Sequence, residues 1–156
     1  GIMQLGTKGR YAVIALLRMC DALKQQAVVP LSYIAETEEI SIAYLEQLFT
    51  RLRKAGLVNS VRGQSGGYTL ARDANFITLA EIIVAAEENL FFTKCDPMSH
   101  SGCTKTGVLC KTHRLWEELT NQVFNFLVGI TLEDLAKGNI PQSESNWLKH
   151  KQVAND

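Results

Sequence analysis

Three thiols and one imidazole fall within a short stretch of the second half of the chain: Cys95, Cys103, Cys110 and His113, spaced Cys-x7-Cys-x6-Cys-x2-His. Thiolates bind iron and zinc, and a neutral imidazole is a common fourth donor, so the group has the chemistry of a metal site. The residues between them are rich in Gly, Ser, Thr and Lys and show no apolar period. Such a segment has little of its own to pack and is able to wrap a metal. Structural zinc sites usually place paired cysteines two to four residues apart, and no such pair occurs here; wider spacing suits a cluster, whose ligands are spread over more than one iron. Spacing alone does not choose, and three readings stay open: an iron–sulfur cluster, a zinc ion, or unliganded redox thiols. A histidine in place of a fourth thiolate leaves a cluster less negative and open to protonation, which suits a sensor. Lys94, Lys105 and Lys111 flank the ligands and offset part of the remaining charge. The other cysteine, Cys20, lies among Ile14, Leu16, Leu17 and Met19 and reads as a buried thiol.

The elements that must position this group belong to a chain of 156 residues, enough for one domain or a small domain with an arm. An apolar fraction of 46% argues against global disorder. Formal net charge is zero, but it is unevenly divided. Residues 1–72 hold nine Lys/Arg against five Asp/Glu, and residues 73–156 hold seven against eleven. A basic half joined to an acidic half fits a DNA-facing module that carries a regulatory or dimerising one.

Helical spacing of Tyr11, Ala12, Ala15, Leu16 and Met19 predicts a first helix from about Lys8 to Leu23, with Thr7 as its cap. Pro30 opens a short second helix, and Ser41 caps a third that runs to Ala55 and stops at Gly56. Two short helices with a tight connection make a helix-turn-helix. Leu57–Val61 then reads as a strand and Tyr68–Ala71 as its returning partner, with Gly66-Gly67 at the turn and Arg62-Gly63-Gln64-Ser65 at the tip: a wing. Thr78 with Glu81 predicts a capped helix to about Glu88, and Thr131 with Asp134 predicts another short one. Between them a long helix over Thr112–Val128 carries Leu115, Trp116, Leu119, Val123, Phe124, Phe126 and Leu127, more apolar surface than one small domain needs. Part of it is expected to pack against a second copy. The expected fold is mostly α with a small β-hairpin wing, a winged helix-turn-helix plus a long dimerisation helix. The expected divisions are a DNA-binding domain at 1–88, a cluster-binding loop at 89–111, the dimerisation helix and a short helix at 112–140, and a polar, mobile tail at 141–156 anchored by Trp147 and Leu148.

In such a fold the third helix enters the major groove, where all four base pairs differ. Leu45, Leu48 and Leu52 fall on one face, which leaves Ser41, Tyr44, Glu46, Gln47, Arg51 and Arg53 for the other. Tyr44, Glu46 and Gln47 in the first turns are candidates for base contact, and a carboxylate such as Glu46 suits the amino group of cytosine. Arg51, Arg53, Lys54 and Arg62 suit phosphates, as do Lys8 and Arg10 at the start of the first helix. Arg62 at the wing tip also suits a narrow minor groove.

These stretches together resemble the Rrf2 family of bacterial transcription regulators, most nearly its iron–sulfur members. The resemblance rests on Leu5-Gly6-Thr7-Lys8-Gly9-Arg10-Tyr11-Ala12-Val13, on Ile40 to Phe49, and on Arg51-Leu52-Arg53-Lys54-Ala55-Gly56-Leu57-Val58. It continues through Val61-Arg62-Gly63, Gly66-Gly67-Tyr68, and Cys110-Lys111-Thr112-His113 with Leu115-Trp116. It implies a homodimer on near-palindromic double-stranded promoter sites, with the long helix crossing its twin and the positions of Tyr44, Glu46 and Arg62 touching DNA. It further implies a [2Fe-2S] cluster on Cys95, Cys103, Cys110 and His113, reporting iron–sulfur, iron or redox status. Other members carry [4Fe-4S] clusters and respond to nitric oxide or iron, some with a carboxylate ligand, so Asp96 and His100 are substitute ligands to keep in view. Three departures matter. The first two ligand spacers are longer than is usual, Ala43 stands where the family commonly has serine, and Gln64 stands where the wing commonly has proline.

Other classes fare less well. No phosphate-binding glycine loop or catalytic constellation is present, which argues against an enzyme, and a cluster-carrying electron-transfer protein has no use for a polar helix face and a basic wing. No apolar run is long enough to span a membrane and the start does not resemble a signal peptide, so a bacterial cytoplasmic location and no membrane partner are expected.

Overall fold

In a computed structural model, residues 6–87 and 111–155 are described. The first helix, α1 (Thr7–Ala22), is followed by α2 (Leu31–Glu38) and α3 (Ile42–Lys54). A hairpin of β1 (Val58–Val61) and β2 (Gly67–Leu70) and a single 3-10 turn at Ala74–Phe76 lead to α4 (Leu79–Ala86). Beyond residue 110 come α5 (His113–Val128), α6 (Leu132–Lys137) and α7 (Asn146–Asn155). The architecture is mostly helical with one antiparallel hairpin, as the periodicities predicted.

One core joins these elements. Ala12, Ala15, Leu16 and Met19 of α1 meet Ile34 of α2, Leu45, Leu48, Phe49 and Leu52 of α3, and Ile82 and Ala86 of α4. Ile130 and Leu132 from the start of α6 enter the same cluster. Each fully buried Leu or Phe contributes about 1.5–3 kcal/mol. A helix cap is worth about 1 kcal/mol. Core packing therefore places α3, and its caps fix where it begins and ends.

The ends of α3 are sharply defined. Ser41 Oγ accepts the Tyr44 N–H at 3.2 Å. At the other end Gly56 takes φ +76°, and the N–H groups of Gly56 and Leu57 return to the carbonyls of Arg53 and Leu52 at 3.0 Å. That pattern of bonds past a left-handed glycine closes a helix and turns the chain into the next element. The hairpin pairs Val58 with Leu70 and Val61 with Gly67. Val29 adds a further rung, donating to the Tyr68 carbonyl at 2.9 Å and accepting from the Tyr68 N–H at 2.8 Å. Gly67 allows this approach: its φ is +154°, and a Cβ there would collide with the Val29 carbonyl.

Both anticipated capping boxes form, Thr78 with Glu81 and Thr131 with Asp134. The two helix starts lie side by side: Leu79 N–H donates to the Ile130 carbonyl at 2.9 Å and Leu132 N–H to the Ile77 carbonyl at 2.8 Å.

Four details differ from expectation. Thr7 is the first residue of α1 rather than its cap; Gly6 holds the cap position and has no side chain to fill it. Helix α4 stops at Ala86, with Glu87 extended. The tail is not irregular throughout, since 146–155 is the helix α7. Trp147 and Leu148 do not anchor it to the core, being 64% and 50% exposed; Lys151 instead lies over the Trp147 ring at 5.2 Å.

Candidate nucleic-acid interface

Helix α3 is divided as its sequence predicts. Leu45, Leu48, Phe49 and Leu52 are buried, and Ser41, Glu46, Gln47, Arg53 and Lys54 are exposed. The exposed face therefore carries hydrogen-bonding groups of both kinds along its length, with three cations in the last turn, where the helix dipole favours them. Ser41 is engaged as the cap. Tyr44 is half-buried, its ring edge-on to Tyr11 of α1 at 5.6 Å and 85°. Burial first, and then Tyr11 and Glu87, raises the Tyr44 phenol above its ordinary value, with Arg51 opposing, so it remains a neutral O–H.

The fold brings the start of α1 against α3. Lys8, Tyr44, Gln47, Leu48 and Arg51 line one shallow recess, and Lys8 and Arg10 are exposed beside it. Arg51 is placed differently from a free phosphate ligand: it is half-buried, and its Nη1 donates to the Ala86 carbonyl at 2.8 Å. The next residue, Glu87, accepts the Gly9 N–H through Oε1 at 3.1 Å. The end of α4 thus touches both α1 and α3. The sequence marks Tyr11 only as part of the apolar stripe of α1 and gives no sign of Glu87; the one local hint is that the first turn of α1 has no acid of its own.

Arg62 follows directly on β1 and is exposed. The wing is tied to α3 through rings, because Tyr68 of β2 meets Phe49 at 4.9 Å and 61°. Arg72 ties the far end of the hairpin to α4, donating to the Phe76 carbonyl at 2.9 Å and to Glu81 Oε1 at 3.0 Å.

Of the metal-ligand candidates, Cys95, Cys103 and Cys110 lie outside the described residues, as do Asp96, His100, Lys94 and Lys105. His113 is described. It is the first residue of α5, only 5% exposed, and its Nδ1 has no hydrogen-bond partner. Leaving a buried polar nitrogen unsatisfied costs about 1–3 kcal/mol, so this atom has the environment of a donor set up for a ligand. Lys111 nearby is exposed. Along α5 several outward positions are apolar, Leu115 being 58% exposed and Phe126 49%, beside exposed Arg114, Glu118, Gln122 and Asn125. Among the described residues no helix is long and apolar enough to cross a membrane.

Comparison with known proteins agrees with this architecture. Residues 5–138 match the family model Rrf2, described as an iron-dependent transcriptional regulator. The HTH-type transcriptional regulator IscR of Xenorhabdus nematophila is 49% identical over 135 residues, covering 86% of this chain and 80% of that protein. Among solved structures, T. potens IscR superposes with a TM-score of 0.68 at 33% identity, covering 93% of this chain and 96% of that one. CymR (YrzC), the global cysteine regulator of B. subtilis, gives 0.65 at 34% identity, covering 86% and 96%. These relatives are regulators rather than enzymes. With most of its length matched and a winged helix-turn-helix in its first half, the chain belongs to the Rrf2 family of transcriptional regulators.

Proposed function

We propose that the chain is an iron–sulfur-dependent regulator that binds near-palindromic promoter DNA as a homodimer and holds a [2Fe-2S] cluster on Cys95, Cys103, Cys110 and His113. The observation that carries the cluster reading is His113: a buried imidazole whose Nδ1 has no partner among the described residues, and which is the histidine of a Cys-x2-His pair whose thiol is Cys110. The donor set fits the group, since such centres are held by cysteine thiolates and accept imidazole in place of thiolate. When bound, the cluster supplies a redox-active iron centre sensitive to oxidants and to iron supply.

The chain's own residues do the DNA work. Tyr44, Glu46 and Gln47 face the base edges from the first turns of α3, with Ser41 fixing that turn. Arg53, Arg62, Lys8 and Arg10 lie against phosphates, and Arg51 orients α3 from its bond to Ala86. Leu115, Leu119 and Phe126 recur at i, i+4 and i+11, a seam spacing that suits packing of α5 on its twin. Two-fold pairing then sets two copies of α3 against two half-sites about 34–36 Å apart, which is why the operator is near-palindromic. In functional terms 1–88 reads DNA, 89–111 supplies the three thiolates and 112–140 pairs the subunits and adds His113, in the bacterial cytoplasm.

Iron and acid-labile sulfide in protein purified without oxygen test the proposal. About two of each per chain support it, and about four of each support a [4Fe-4S] centre of the kind found in nitric-oxide- or iron-responsive members. A colourless, iron-free protein that nonetheless binds its operators overturns the cluster reading. Operator affinity of holo and cluster-free protein, measured on several operators, tests the regulatory link; equal affinities on all of them would refute it.

A further inference from the structure

A helix begins with N–H groups that have no partner within it, and these are usually met by a capping side chain or an acid in the first turn. Helix α1 has neither. Its cap is Gly6, no acid lies in its first turn, and that turn carries Lys8. The missing acceptor comes from a residue 78 positions away: Glu87 Oε1 takes the Gly9 N–H at 3.1 Å. The fit is close, because a Cβ on Gly6 would land on that carboxylate and one on Gly9 would lie 3.1 Å from Glu87 Cδ. The same chain end holds α3, through the bond from Arg51 Nη1 to the Ala86 carbonyl. Two consecutive residues at the end of α4 therefore clamp the start of α1 and the last turn of α3.

We propose that Glu87 is a positioning residue for DNA binding: its carboxylate caps α1 from outside and so fixes Lys8 and Arg10 relative to Tyr44 and Gln47 of α3. This rests on the reading of those residues as the DNA face. Glu87 touches no DNA itself. Its charge also helps, after burial and Tyr11, to raise the Tyr44 phenol. A simple charge argument predicts the opposite sign, because a carboxylate near the phosphate-binding face repels the duplex, and removing it would tighten binding.

The test uses the full chain purified without oxygen and a fluorescein-labelled duplex that the wild-type protein selects from a random-sequence pool. Anisotropy titrations over a range of salt give Kd and the slope of log K against log salt. Loss of one phosphate contact in each chain of a dimer lowers the slope by about two, and raises Kd about 30-fold near 0.15 M salt. That is the expected result for Glu87→Ala. Glu87→Gln keeps an acceptor oxygen and is expected to recover most of the loss, although it too lacks the charge. Gly6→Ala keeps Glu87 but displaces its carboxylate, and is expected to behave as Glu87→Ala; it and Glu87→Gln decide the matter if circular dichroism shows Glu87→Ala unfolded. Adding Glu87→Ala to Lys8→Ala/Arg10→Ala should cost little more, since both act through the same contacts. Glu87→Ala that binds as tightly as wild type, or tighter, overturns the proposal, as does a full additive loss on the Lys8→Ala/Arg10→Ala background. If Lys8→Ala/Arg10→Ala alone leaves Kd and slope unchanged, the reading of the DNA face falls first and the inference with it.

Discussion

Ser41 lies where the stability of α3 and its reading of DNA meet, and the two can be separated. Its hydroxyl accepts the Tyr44 N–H at 3.2 Å. Ser41→Ala removes that acceptor at a cost of about 1 kcal/mol. On a chain of 156 residues this lowers Tm by about 2–4 °C. The helix does not detach, because Leu45, Leu48, Phe49 and Leu52 stay buried beneath it and each outweighs the cap. The first turn frays instead, which loosens Tyr44 and Glu46. If the whole loss is felt on binding, each chain contributes a factor of about five and the affinity of a dimer for its operator falls by about 30-fold. Ser41→Asp restores the acceptor and adds a negative charge where the helix dipole favours it, so Tm returns to the wild-type value or above. That same charge faces phosphate, so Kd rises by about tenfold or more. Differential scanning calorimetry and anisotropy titration on the three proteins read both quantities. Ser41→Ala with a Tm within about 0.5 °C of wild type would refute the cap. Ser41→Asp binding DNA more tightly than Ser41→Ala would refute the DNA face.

Further outcomes follow from the same structure. His113→Leu removes an unsatisfied buried nitrogen, so cluster-free protein should gain about 1–3 kcal/mol in urea unfolding while losing iron retention; a less stable cluster-free variant would count against the buried orphan. The Glu81 carboxyl is held below its ordinary range, chiefly by the Thr78 N–H and then by Arg72, and Asp134 is held down by the N–H and hydroxyl of Thr131. Because both folded values are depressed, their stabilisation is present above the usual carboxylate range and is lost as pH falls through the folded values. The denaturation midpoint should therefore drop between about pH 5 and pH 3, and Glu81→Gln/Asp134→Asn should flatten that drop. The Cys20 thiol is pushed up to about 11 by burial and, secondarily, by Asp21. At pH 7.5 roughly one molecule in three thousand is thiolate, so in a Cys95→Ser/Cys103→Ser/Cys110→Ser background iodoacetamide should label native protein at least about 100-fold more slowly than unfolded protein, read by mass spectrometry. Equal rates would refute it.

What was legible in the sequence was local or periodic. The spacing of Leu45, Leu48 and Leu52 gave the buried face of α3, and the Thr78–Glu81 and Thr131–Asp134 pairs marked helix starts because a capping box spans only four residues. The wing announced itself through its glycines. What was missed depends on contacts distant in sequence. Nothing near Arg51 indicates that its guanidinium turns toward Ala86, and nothing near Gly6 indicates that a glutamate 78 residues beyond Gly9 completes the helix. The tail failed for another reason: 146–155 has no apolar face to betray a helix, and in the structure every one of its residues is exposed. On α5 an apolar surplus was legible but not its distribution. His113 and Thr120 are the most buried positions there, while Leu115 and Phe126 point outward.

The paired starts of α4 and α6 have a consequence for how such a regulator diversifies. The bonds between Leu79 and Ile130 and between Leu132 and Ile77 bring the two ends of the chain from 79 to 130 to a single socket on the core. That stretch includes the packed α4 and α5, and because its two ends are tied together, length added between those helices has chiefly its own closure to satisfy. Closing such an excursion costs only about 0.6 kcal/mol more for each doubling of its length. An insertion there can therefore lengthen while the paired starts of α4 and α6 keep their places on the core.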